Sequence, residues 1–254
     1  MFDLSMTSAA DILPFILVGF AAQLVDGALG MAFGVISTTL LISLGVPPAS
    51  ASASVHAVEV FTTGASGISH WLHKNISWRL FRRIVIPGVI GGILGAYVLT
   101  QIPAEQARPF VLGYLALIGV YLLWRGTRKV VRHRRARIVE PLGFAGGFLD
   151  AAGGGGWGPV VTSNLLAQGA HPRKVIGTVN TAEFFLAVTI SATFLASLGW
   201  EAFTLAMAGL LIGGMAAAPL GGYVARRVPA KLLLLMVGTV LVLTSLYGIW
   251  ATFA

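Results

Sequence analysis

The sequence predicts an all-α polytopic membrane protein made of two inverted-topology repeats, each with a broken or re-entrant first helix followed by three transmembrane helices. Three observations carry this expectation. Hydrophobic residues make up 56% of the 254 and charged residues 10%, with a mean hydropathy of +0.86, which leaves too few polar groups to cover a water-soluble surface. Apolar stretches of membrane-spanning length recur along the whole chain. Finally, the chain matches itself when shifted by 124 positions, and the matches include its rare polar residues.

The apolar stretches run over 12–46, 49–72, 80–101, 107–124, 139–170, 173–197, 202–225 and 230–253. Most fit the roughly 20 residues a helix needs to cross the hydrocarbon core. The first and fifth are too long, and each carries a polar, glycine-rich interruption: Asp26 to Gly30, and Asp150 to Gly156. These read as broken helices or re-entrant hairpins. The 32 glycines are nearly double the usual share of about 7%, and in a membrane chain they mean close helix packing or helix breaks.

The repeat is gapless around the breaks. Seven of the sixteen positions from Gly19 to Gly34 match Gly143 to Gly158, with Asp26 on Asp150, Gly30 on Gly154 and Gly34 on Gly158. It continues through Pro48 on Pro172, His56 on Asn180 and Glu59 on Glu183, then at a shift of 126 through Pro103 on Pro229 and Trp124 on Trp250. Chance matching in apolar sequence yields Ala, Leu and Gly, not Asp, Glu, Pro and Trp in register. The expected division is therefore a first repeat over 1–125, a basic linker over 126–138 and a second repeat over 139–254.

Charge placement gives the orientation. The net charge of +8 is concentrated at the ends of apolar segments, the pattern of topology and anionic headgroups rather than of nucleic-acid binding. If each broken segment returns to the side it entered from, 16 of the 17 basic residues lie on one side and only Arg108 on the other. If each break crosses once, the split is 11 to 6. The first option makes the halves inverted and places both termini outside, with the linker in the cytoplasm of a bacterial inner membrane. Met1 to Asp11 has no Lys or Arg, so it lacks the basic region of a cleaved signal and is expected to stay on the protein. With no cysteine, disulfides, thiolate metal sites and Cys nucleophiles drop out.

Ionisable residues deep in a membrane are costly and usually functional. Five of the nine carboxylates sit at termini or loops; the other four are Asp26, Asp150, Glu59 and Glu183, two repeat-matched pairs. His56 and Asn180 precede the two glutamates by three positions, placing them on the same helix faces. No Lys or Arg lies in the apolar interiors away from their ends. The breaks must then supply any anion site themselves, through freed backbone N–H groups that glycine lets a ligand approach. Gly153 to Gly156 before Trp157 form such a nest, and Gly27 to Gly30 before Phe33 its mate. The candidate substrate contacts are Gln23, Gly30, His56, Gly154, Gly155, Gly156, Trp157 and Asn180. Asp26, Glu59, Asp150 and Glu183 are candidate proton-coupling or structural carboxylates. Plainer roles stand beside these: the aspartates as caps of half-helix N-termini, the glutamates as partners of freed amides, His56 as a satisfied core residue, and Trp157 and Phe33 as packing. Trp71, Trp78, Trp124 and Trp250 read as interfacial belt residues.

At GFAGGFLDAAGGGGWGPVV, at GTVNTAEFF from Gly177 to Phe185, and in its duplication, the sequence resembles the sulfite exporter TauE/SafE family, also called the toluene-sulfonate uptake permease family. The first-half break, DGALGMAFG, is poorer in glycine, and Val35 stands where Pro159 does. The resemblance implies bacterial inner-membrane transport of sulfite, sulfoacetate or a related sulfonate. The implied partners are that small anion, membrane lipid and, as an open option, further copies of the chain; nucleic acid is not among them. No Walker A pattern occurs and no cofactor is expected. The reading is a proton-coupled secondary carrier working by alternating access, and not an enzyme, since no G-x-S-x-G or HExxH motif is present. The alternative is a cation or divalent-metal carrier using the buried carboxylates and His56.

Overall fold

The computed structural model describes residues 9–29, 31–128, 136–200, 205–220 and 229–253. The expectations placed on the N-terminus, on most of the basic linker, on Gly30 and on Arg226 and Arg227 fall outside these residues. The described chain is helical, with no strand. It forms α1 (Ala9–Leu29), α2 (Phe33–Ser43), α3 (Pro48–Leu72), α4 (Trp78–Gln101), α5 (Ala104–Thr127) and α6 (Glu140–Gly153). A π-helical segment (Trp157–Thr162) then runs into α7 (Ser163–Ala167), followed by α8 (Pro172–Leu198), α9 (Leu205–Ala217) with a 3-10 turn (Ala218–Leu220), and α10 (Ala230–Phe253).

Among the described residues four helices are long and apolar enough to cross a membrane: Trp78–Gln101, Ala104–Thr127, Pro172–Leu198 and Lys231–Thr252, with shorter apolar helices at Ile12–Asp26, Phe33–Ser43 and Ala206–Ala217. This is a multi-pass membrane protein. α3 has the length, 25 residues, but is less apolar, because it buries Ser52, Ser54, His56 and Glu59 on its inner face. The outward faces carry the side chains lipid requires, such as Phe110, Leu117 and Leu243. Trp71, Trp78, Trp124 and Trp250 are all exposed near helix ends, as interfacial indole anchors are.

Local chemistry sets the element ends, and the ends recur at the sequence repeat. α1 stops at Leu29 and α6 at Gly153, 124 positions apart. α2 spans Phe33–Ser43, and the π segment with α7 spans the matching 157–167. Gly45 (φ 90°) and Gly169 (φ 88°) end these half-helices in the left-handed region that glycine tolerates. Pro48 and Pro172 then open α3 and α8 at positions where a missing N–H costs nothing.

The dominant helix contacts all join the two halves: α4 with α6, α1 with α9, α5 with α10, and α3 with α8. In the first two pairs the backbones touch through glycine and the helices run parallel. A Cβ on Gly91 would fall 2.1 Å from the Phe144 carbonyl oxygen, and one on Gly213 1.9 Å from that of Ile16. In the other two pairs the helices run antiparallel. Ser66 meets Asn180 while Asn75 meets Gly177, and Leu112 meets Gly248 while Gly126 meets Leu235. At one membrane face, Arg83 holds Glu140 through two hydrogen bonds of 2.5 and 2.9 Å, tying α4 to the start of α6.

Candidate functional site

A helix that breaks inside a membrane must find partners for its freed N–H and C=O groups without water. Both breaks do so with an aspartate in the last turn of the preceding helix. The Phe33 N–H donates to Asp26 Oδ1 at 3.2 Å. In the other half, the N–H groups of Gly156 and Trp157 donate to Asp150 Oδ1 at 2.7 and 2.9 Å. In each half the aspartate lies seven residues ahead of the aromatic residue that heads the next helical segment. Negative charge at a helix N-terminus also meets the positive end of its dipole.

These bonds correct two expectations. The aspartates were placed at the start of the interruptions, but both are helical, and the second gap is confined to Gly154 to Gly156. The glycine nest was expected to offer its amides to an anion. Instead Gly153 is helical, Gly155 N–H bonds the Asp150 carbonyl, and the next two amides are held by the Asp150 side chain. A carboxylate seven residues back competes for these donors, which spacing to the nearest glycine does not reveal.

The carbonyl end of the second break is served by three side chains from other helices. Ser52 of α3 donates to the Ala151 carbonyl at 2.8 Å, Tyr114 of α5 to that of Gly155 at 3.0 Å, and Thr38 of α2 to that of Gly154. The sequence reading did not single out these residues; hydroxyls are ordinary in apolar helices, and only the fold aims them at one gap.

The two breaks cross in direct contact. A Cβ on Gly155 (φ 149°) would lie 2.3 Å from the Val35 nitrogen, and one on Gly34 2.9 Å from the Gly155 Cα. Ala32, at φ 140°, adopts in the first break a backbone usually left to glycine. At the crossing lies a small cavity of about 10 Å³ measured to water centres, the space of one water molecule. It is lined by residues of both breaks, among them Gly34, Val35, Gly155, Gly156 and Gly158, and by Glu59, Asp150 and Glu183.

α3 supplies His56 and Glu59, both buried. His56 Nδ1 is 2.7 Å from the Ser52 carbonyl and its Nε2 is 3.2 Å from Asp150 Oδ2. A carbonyl only accepts, so Nδ1 carries a hydrogen. The Nε2 to Oδ2 contact then needs one proton, on either the imidazole or the carboxyl.

The remaining candidates are placed differently. Asn180 is buried and donates to Ser66 Oγ at 3.2 Å, away from the cavity lining. Gln23 is buried with its Oε1 unpartnered among the described residues, and it does not line the cavity. Gly154 is also outside the lining. The Trp157 indole, expected at the substrate, is fully buried elsewhere: Nε1–H donates to the Val179 carbonyl at 3.1 Å, and the ring covers Gly88. Only its backbone amide belongs to the break. Donor atoms of His56, Glu59 and Asp150 lie within 4.8 Å of one another, a grouping able to hold a cation.

A family model described as sulfite exporter TauE/SafE matches residues 15–248. The chain is 45% identical over 241 residues to the probable membrane transporter protein YtnM of Bacillus subtilis, covering 91% of this chain and 80% of that one. It is 26% identical over 251 residues to the probable membrane transporter protein YjnA of the same organism, covering 91% and 97%. No solved structure matches.

Proposed function

Since the chain belongs to the sulfite exporter TauE/SafE family of membrane transporters, we propose that it is a secondary carrier for a small sulfur-containing anion, sulfite or a sulfonate such as sulfoacetate. Its site is the crossing of the two breaks, where the one-water cavity must widen as the halves move to admit the anion, and the observation that carries this reading is the make-up of that crossing. Gly34 and Val35 lie in the first turn of α2, whose N–H groups have no partner within the helix, and they line the cavity together with Gly158 of the opposite break. Two opposed half-helix N-termini give an oxyanion its donors without a buried Lys or Arg. Glu59 and Glu183 face the same space, and when protonated they donate hydrogen bonds to the anion and couple its movement to protons.

The two halves act as inverted repeats in this reading, exchanging access to the crossing by moving against each other. Support comes from the antiparallel course of α3 against α8 and of α5 against α10, each pair formed by elements that match in the sequence repeat. The membrane is the bacterial inner membrane, with termini outside and the basic linker cytoplasmic. Uptake of radiolabelled sulfite into proteoliposomes under an imposed pH gradient tests the carrier. Uptake above protein-free liposomes that collapses with the gradient is expected; no uptake in either gradient direction overturns it.

A second reading has one observation in its favour: His56, Glu59 and Asp150 converge within 4.8 Å, as a divalent cation carrier would require. Asp150 already has one oxygen committed to two amides, which leaves fewer ligand positions than such an ion needs. Thermal protection by a divalent cation and none by sulfite would favour this second reading.

A further inference from the structure

The antiparallel pairing of α3 and α8 brings the C-terminal end of one against the N-terminal end of the other. Around these ends lies an open bowl of about 500 Å³ lined by His73, Lys74, His171, Arg173 and Lys174. No carboxylate is in its lining. Two of its cations are drawn inward onto the opposing loop. Arg173 bonds the Asn75 side chain through Nε and the His73 carbonyl through Nη2 at 3.2 Å. Lys174 Nζ donates to the carbonyls of Lys74 at 2.7 Å and Ile76 at 3.4 Å. Residues serving only as anchors to lipid headgroups extend outward along the surface; these two are folded over a cavity.

The bowl is one-sided. At the matching positions of the other half, 124 away, stand Ser197 and Leu198 in place of His73 and Lys74, and Pro47, Ala49 and Ser50 in place of His171, Arg173 and Lys174. The repeat therefore does not explain the charge. Position does give it a use. α3 and α8 carry Glu59 and Glu183, and Lys174 stands nine residues before Glu183, about 14 Å along the helix. A concave cationic surface with low-dielectric walls focuses its field and raises the local concentration of anions.

We propose that this bowl is a collecting vestibule for the transported oxyanion, present at one mouth of the carrier and absent from the other, so that anion is captured preferentially from the face on which it opens. The proposal rests on the oxyanion-carrier reading above.

The test begins with protein in phosphatidylcholine liposomes and sulfate as a stable probe. Acylation of the exposed Lys74 amine, followed by mass spectrometry, should slow several-fold in sulfate and recover when added chloride screens the bowl. No slowing overturns the proposal. Lys74→Gln should then raise KM for sulfite entering from the bowl side, on the order of three- to tenfold at low ionic strength, with kcat kept and the difference shrinking in salt. Lys74→Arg should keep KM near wild type. An unchanged KM in Lys74→Gln protein with a normal unfolding midpoint also overturns it, as does protection of Lys74 that appears only with phosphatidylglycerol and gains nothing from sulfate. The footprint is read without transport. A protein that moves no sulfite yet shows sulfate protection refutes the carried anion and upholds the bowl as an anion site.

Discussion

His56 Nε2 lies 3.2 Å from Asp150 Oδ2, linking the middle of α3 to the end of α6 across 94 positions of sequence. The other oxygen of the same carboxylate receives the two amides that head the following helical segment. One side chain thus closes the helix break and shares a proton with the neighbouring helix. Glu59 on α3, Glu183 on α8 and Tyr114 on α5 lie within electrostatic reach of Asp150, and Asp26 on α1 within reach of the two glutamates.

The pair gives a prediction that separates its two hydrogen-bonding duties. Without that proton two acceptors would face each other, so the contact exists only while the pair holds it. Asp150→Asn keeps an oxygen for the Gly156 and Trp157 amides and offers an N–H to neutral His56, but carries no titratable proton. We expect Asp150→Asn protein to fold with a near-wild-type unfolding midpoint and to lose gradient-driven uptake, since no proton can then pass between residues 56 and 150. Asp150→Ala should be far less stable, since each buried amide left unpaired costs about 1–3 kcal/mol. Gradient-driven uptake and thermal unfolding in detergent read the two effects separately. Uptake by Asp150→Asn protein at the wild-type rate would remove the shared proton from the transport cycle.

The crossing of the breaks predicts a sharp contrast between two glycines. Alanine at Gly155 would need a left-handed φ and would bring its Cβ to 2.3 Å from a backbone nitrogen, so the two breaks must separate. Gly113, on α5, has nothing within 4 Å of a Cβ, and there alanine gains about 0.5–1 kcal/mol in helix propensity. Gly155→Ala should lower the unfolding midpoint and abolish transport, while Gly113→Ala should leave both at or above wild type. Equal behaviour of the two variants would mean that the breaks do not touch.

Thr38 and Tyr114 donate to the adjacent carbonyls of Gly154 and Gly155 from two different helices. Hydrogen bonds between membrane helices average about 0.6 kcal/mol and reach about 1.7. Thr38→Val and Tyr114→Phe should therefore each lower stability by about 1 kcal/mol, and the double variant should be less stable than either. The stronger effect is expected on turnover, because both bonds tie α6 to elements of the first half. A kcat unchanged in the double variant would show that these bonds survive the whole cycle.

Much of this was legible in the sequence because membranes make polar residues conspicuous. Asp26, Asp150, Glu59 and Glu183 stood out as the carboxylates inside apolar stretches; three of them line the cavity, and the fourth, Asp26, closes the first break. The helix ends were legible too, since the apolar stretches 49–72 and 173–197 end within a residue of α3 and α8. Direction of bonding was legible only as one of two readings. The aspartates read equally as caps of half-helix N-termini and as transport residues, and spacing alone does not choose between them; their side chains do take the freed amides. Trp157 read both as a ligand contact and as packing, and its large ring packs against the bare backbone of Gly88. Ser52, Thr38 and Tyr114 carry no signal at all until three helices bring them to one set of carbonyls.

Glu59 and Glu183 give the last prediction. Both line the cavity at the crossing, so a bound anion faces them at close range. Two like charges about 4 Å apart repel by roughly 4 kcal/mol even at an effective dielectric of 20, enough to expel the anion unless the facing carboxyl is protonated. Substitution by glutamine keeps the size and supplies a permanent donor. Glu59→Gln and Glu183→Gln proteins should therefore still be stabilised by sulfite against thermal unfolding, over a wider pH range than wild type. Their uptake in proteoliposomes should no longer be accelerated by a pH gradient, though exchange of internal for external sulfite should continue. Gradient-driven uptake persisting at the wild-type rate in both single variants and in the double variant would place proton coupling elsewhere, with the His56 and Asp150 pair as the remaining proton-sharing contact.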